Sequence, residues 1–274
     1  MVDMTSTDYE SLGRYVLQKR WTQREIATKQ REIFHATLSL SSTLDSENFS
    51  RISAADLRRM CMLYDEHYFD GRLLSLARGE GIDFQLSRRM TRAAGKTVTI
   101  YDPKIRNAEV PGGKQRKFEI ILSTTLLYQT FHDLDRQVVV SGCVCRNRLE
   151  AAQRVCEHEL AHLVEMLCFN DSNCAKKQFH GITKRFFNHT DYQHQLITQD
   201  ERAAKRFDVR VGSMVEFTFE GRVIRGKVNR ITRRATILVA DPKGQMFDDG
   251  HRYLRYYVPL EHLRRLDSSK KLGT

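Results

Sequence analysis

The sequence contains no run approaching the roughly 18 consecutive apolar residues that a membrane-spanning helix needs. Its first residues, Met1-Val2-Asp3-Met4, lack a basic segment followed by an apolar core. The expectation is a soluble, intracellular protein of the cytoplasm or the nucleoid or nucleus, with no membrane partner. Cysteines spaced as C-x-x-C are also missing, which argues against a zinc ribbon, and Cys143-Val144-Cys145 has the wrong spacing for one. The six cysteines, Cys61, Cys143, Cys145, Cys156, Cys168 and Cys174, read as reduced thiols, because a chain of 274 residues can build a core without covalent staples.

What is present is 41% hydrophobic and 29% charged residues, enough for one substantial core and a second, smaller one. The net charge of +11 is uneven. From Glu201 to Thr274 there are 17 Lys or Arg against 9 Asp or Glu, a surplus of 8 in the last 74 residues. A polyanion is one use for such a field, and a solvated basic surface is the other.

Three regions follow from patterning. Residues 1–50 carry a charged helical pattern around Tyr15, Val16, Ile26, Ile33 and Phe34, and end in a Ser-rich stretch from Leu38 to Ser46; they read as a helical arm and linker. From Ser53 a capped helix is predicted, with Leu57, Met60, Leu63 and Tyr64 at helical spacing and an Asp70-Gly71 turn after it. Ile82–Leu86, Thr97–Tyr101 and Phe118–Ser123 have strand character and predict a small sheet.

The stretch from about Asn147 to Phe169 has no Gly or Pro, and Leu149, Ala152, Cys156, Leu160, Leu163 and Leu167 trace one apolar stripe. It predicts a buried helix of about six turns. On it stands His158-Glu-Leu-Ala-His162. Histidines at i and i+4 leave one helical face together, so both imidazoles can reach one tetrahedral Zn²⁺. Glu159 projects beside them, where a carboxylate could take a proton from attacking water and return it to a departing amine. A catalytic zinc site needs a third protein ligand. His180, at the start of a second amphipathic helix, is the leading candidate, with Cys174, His189 and His194 as alternatives.

Several segments together resemble the SprT-like zinc metallopeptidases, which include Spartan-type proteases acting on DNA-protein crosslinks. They are Leu63-Tyr-Asp-Glu-His-Tyr-Phe-Asp-Gly-Arg-Leu, Ser87-Arg-Arg-Met with the later Ala-Gly, Ile120-Ile-Leu-Ser, and the His158 motif with His180-Gly181 behind it. The resemblance runs from about Leu57 to Leu196. It implies a zincin-like domain over 51–200, zinc on His158, His162 and His180, and catalysis by Glu159. The family places an aromatic four residues after its third histidine, and Lys184 stands there. If Phe179 is the equivalent aromatic, the ligand position falls near Ala175, and Cys174 or a later histidine would serve.

Family members that end in a four-cysteine ribbon differ from this chain over 209–268. Here short alternating strands with Gly turns predict a basic β-barrel, similar to SH3-like or KOW-like barrels. Arg222, Arg225, Lys227, Arg230, Arg233 and Arg234, with Tyr253, Tyr256 and Tyr257, are its candidate contacts to DNA or RNA. The sequence thus reads as an α+β zincin-like domain with a small sheet and an H-E-x-x-H helix, followed by a small all-β SH3-like barrel. Its activity would be zinc-dependent peptide hydrolysis, on polypeptides attached to nucleic acid if the resemblance extends that far. The competing class is a non-catalytic binding protein with a structural metal site.

Overall fold

The computed structural model describes residues 6–106 and 114–266. The chain divides into two units: the first runs to Phe131 and resumes from Arg136 to Leu196, and the second takes His132–Asp135 and continues from Ile197. The first unit contains helices α1 (Ser6–Gln18), α2 (Gln23–Ser39), α3 (Ala54–Phe69) and α4 (Arg72–Glu80), then strands β1 (Ile82–Ser87), β2 (Gly95–Arg106) and β3 (Lys114–Ser123). It closes with α5 (Thr124–Gln129), the hairpin β4 (Val138–Val140) and β5 (Cys143–Cys145), α6 (Arg148–Phe169) and α7 (Lys177–Phe187). No helix of the described residues is long and apolar enough to cross a membrane.

The predicted boundaries have local causes. Ser53 and Asp56 form a capping box at the start of α3, each side chain taking the other's backbone N–H. The Asp70-Gly71 turn ends that helix with both residues left-handed, at φ 55° and 75°. β3 lies between its neighbours, parallel to β1 and antiparallel to β2, so β2 ends the three-stranded sheet. Helix α6 is capped by the Asn147 side chain on Glu150 N and closed by Asn170 in the left-handed region, as Asn tolerates. Its stripe is fully enclosed: Leu149, Ala152, Cys156, Leu160 and Leu163 have no exposed surface. Each buried Leu contributes roughly 1.5–3 kcal/mol, so apolar packing fixes the helix.

The expected separate arm is instead part of this core. Leu12 and Val16 of α1 and Ile33 of α2 are buried in the same cluster as α6, and Tyr15 Oη donates to the Tyr68 carbonyl at 2.8 Å. Apolar residues four and seven apart gave each helix one buried face, and that face found the α3 and α6 surface. All six cysteines are free, as expected, and the thiols of Cys61 and Cys156 lie 3.2 Å apart in the core.

The second unit contains α8 (Gln199–Arg206), β6 (Met214–Phe219), β7 (Arg222–Ile231), β8 (Ala235–Met246), β9 (Arg252–Val258), a 3-10 turn (Leu260–His262) and β10 (Arg264–Arg265). The predicted strands form, but the barrel is a correction. They make an antiparallel sheet in the order β10-β6-β7-β8-β9, and no ladder joins β9 to β10 among the described residues. Closure needs a stagger of register around the whole ring; here β10 pairs through two residues and the β8–β9 ladder skips at Ala240/Gln245. The core of this sheet gathers Val215, Phe217, Val228, Ile237 and Val258 with Ala203 of α8.

Candidate metal centre

His158 and His162 sit one turn apart on α6, with ring centroids 4.8 Å and Nε2 atoms 3.1 Å apart. Two atoms each about 2.0–2.1 Å from a tetrahedral ion stand roughly 3.3–3.4 Å from one another, so the pair is spaced as a chelate. Burial, then the neighbouring imidazole of His162, holds His158 down to about 3. Its ring is therefore neutral at neutral pH and has a lone pair to offer.

The residue that the fold brings beside the two imidazoles is Cys174, one of the alternatives, and the three together could hold a metal ion; the leading candidate His180 is not in that group. The ligating atoms of His158, His162 and Cys174 all lie within 4.8 Å of one another, and all three residues are half-buried, within reach of solvent. Asn170 turns the chain back at the end of α6, and the short loop to α7 brings the thiol over the two imidazoles. Phe179 then packs its buried ring on His158 and His162, at 4.8 and 4.5 Å between centroids. Burial raises the Cys174 thiol, so an ion would have to displace its proton; two imidazoles and the resulting thiolate would suit zinc, a borderline-soft ion.

The remaining histidines are engaged elsewhere. His180 lies against Tyr192, 5.4 Å between centroids, outside the donor group. His189 is buried, with Nε2 2.8 Å from Glu157 Oε2. Glu157 also receives Arg154 Nη1 at 2.9 Å and Tyr64 Oη at 2.7 Å, a buried charge held by several donors as burial demands. His194 donates from Nε2 to the Arg92 carbonyl at 2.8 Å and receives Leu196 N on Nδ1 at 3.3 Å, so both its nitrogens are occupied.

Glu159 follows His158 by about 100° around the helix and faces β2. It is 4% exposed, and Thr97 Oγ1 donates to its Oε2 at 2.8 Å. Burial pushes its carboxyl up to about 7, against the lowering effects of His162 and the Thr97 hydrogen bond. Gly95 allows this approach: a Cβ there would stand 2.5 Å from Glu159 Oε1 and 2.7 Å from Val155 Cγ1. Gly95→Ala is therefore expected to displace the carboxylate, lowering any turnover that depends on its position by about 10²-fold while metal content stays at the parent level. Metal analysis alongside turnover measures both; unchanged turnover would show that Glu159 has room to move.

Three supporting residues, Glu165, Ser172 and Thr97, were missed in the sequence. Glu165, fully buried one turn beyond His162, places Oε2 3.7 Å from His162 Nδ1 and accepts the Asn173 N–H at 3.1 Å. Ser172 Oγ lies 3.0 Å from the same Nδ1. Groups behind a ligand histidine fix its tautomer and orientation, and an acid three residues after the second histidine was a readable signal. Thr97 gave none, because its partner is 62 residues away.

The proposed nucleic-acid contacts separate by register. Arg225, Lys227 and Arg230 share one face of the second unit's sheet, Arg222 pairs with Phe219 on the other, and Arg233 and Arg234 lie in the turn between β7 and β8. Tyr256 packs on Phe217 at 5.3 Å, whereas Tyr257 is 61% exposed. Comparisons with family models, with curated proteins and with solved structures gave no match for this chain.

Proposed function

We propose that this chain is a zinc-dependent metallopeptidase in which His158, His162 and Cys174 hold the ion and Glu159 is the acid-base catalyst. The observation that carries this reading is the half-buried group of three donors next to a carboxylate held near pH 7. A purely structural site would close its fourth position with another protein ligand and has no use for that carboxylate. A bound divalent ion would supply Lewis acidity, polarising the scissile carbonyl and acidifying the attacking water.

Glu159 accepts the water's proton as the C–O bond forms and delivers it to the departing amine nitrogen as the C–N bond breaks. Thr97 steadies Oε2 for both transfers. The substrate class is supported by β2, which ends its sheet beside Glu159 and has Ile100 and Tyr101 exposed, at 41% and 57%. An extended peptide could add to that edge through backbone hydrogen bonds. The resemblance to SprT-like peptidases supports the same activity, with Cys174 in place of the family's third histidine, and makes polypeptides bound to nucleic acid the first substrates to try.

The test is metal analysis of the purified protein with hydrolysis of denatured casein. About one zinc per chain is expected, with activity lost on chelation and restored by zinc. Hydrolysis indifferent to chelation, or a protein that takes up no metal, would reject the reading.

A further inference from the structure

The sheet of the second unit has one face whose chemistry no part of the peptidase reading uses. Its register places Arg264, Glu216 and Arg225 in one row, Met214, Lys227, Leu238 and Arg255 in the next, and Arg230, Thr236 and Tyr257 in a third. Five cations thus share a face with one carboxylate. Glu216 does not cancel them. It lies 3.4 Å from Arg225 Nε and 3.6 Å from Arg264 Nη1, and so holds two guanidiniums while leaving four positive charges in excess. Arg225, Lys227, Arg230, Arg255 and Arg264 are all exposed. Tyr257 stands 61% exposed among them, with Arg255 two residues before it on the same strand face and Arg230 one strand beyond Thr236.

We propose that this face binds single-stranded nucleic acid, with the Arg and Lys side chains on the phosphates and Tyr257 as a stacking platform for a base. Cations two residues apart on a strand are separated by about 6.8 Å, and neighbouring strands by about 4.8 Å. The face is therefore a ladder of charges on which an extended polyanion can lie. An exposed aromatic on a sheet can stack only a base that is out of a duplex, which selects a single strand. Phosphate pairing and base stacking are common to both sugars, so DNA and RNA strands are expected to bind alike. The inference is independent of the metal centre.

The test is fluorescence anisotropy of the full chain with labelled 12-mers of oligo(dT) and oligo(U), a 12-base-pair DNA duplex, and heparin as competitor. Both single strands should bind with Kd values within about threefold of each other and at least tenfold more tightly than the duplex. With four to five phosphates neutralised, affinity should fall roughly 50- to 130-fold between 50 and 200 mM salt. Tyr257→Ala should weaken binding by about 10-fold or more, and Arg255→Ala should reduce both affinity and salt slope. Arg222→Ala, on the other face, should leave Kd within about twofold. Duplex or heparin bound as tightly as the single strands, a Tyr257→Ala variant that binds normally, or equal losses from Arg222→Ala and Arg255→Ala would overturn the proposal. Circular dichroism of each variant against the parent separates lost binding from lost folding.

Discussion

Glu159→Gln is expected to retain zinc at the parent stoichiometry and to lose peptide hydrolysis by roughly 10²–10⁴-fold, the range a positioned acid-base group contributes. The amide has nearly the volume of the carboxylate, so the packing against Gly95 and Val155 persists, and Thr97 Oγ1 can still donate to its oxygen. It cannot take the water's proton. Retained metal with lost turnover separates catalysis from binding, and the pair is measured by metal analysis and steady-state hydrolysis of one substrate. A variant as active as the parent would remove Glu159 from the mechanism, while one that also loses its zinc would make the residue part of the ion's support.

The second large effect concerns the donors. His162→Ala and Cys174→Ala should each weaken zinc by more than about 10²-fold, since ligands outweigh the supporting groups whose loss costs 10–100-fold. Competition with a chromophoric chelator reads this directly. His180→Ala should bind as the parent does, because His180 stands outside the donor group. Cys174→His, which would make a three-histidine set of the kind catalytic zinc accepts, should recover binding that Cys174→Ala loses. Normal zinc affinity in Cys174→Ala, with loss in His180→Ala, would return the third position to His180.

These outcomes bear on how far the sequence could be read. The placement of His158, Glu159 and His162 was legible because one helix sets their relation, and α6 announces itself through an apolar stripe unbroken by Gly or Pro. Which of the alternatives would lie beside them was not, since Cys174 stands beyond a helix end and its position depends on how Asn170 and the following loop turn. Residue count from His162 could not choose between Cys174 and His180, and the packing of Phe179 on both rings is a property of the folded chain. The three strands of the first unit were visible in their β-branched runs. That α1 and α2 join its core was not, because a periodic pattern gives a helix a buried face without naming what covers it. The same limit applies to the second unit: alternation marked β6 to β9, while an open or closed sheet is decided by pairings far apart in sequence.

The position of Glu165 has a consequence for how the centre assembles. The Glu165 carboxylate lies 3.7 Å from the inner nitrogen of His162 and accepts the backbone N–H of Asn173, in the turn that carries Cys174. The helix and the short loop are thereby tied at a point outside the three donors. Much of the entropy of ordering that loop is then lost during folding and not on metal capture. A divalent ion arriving from solution would therefore meet three donors already gathered by the fold.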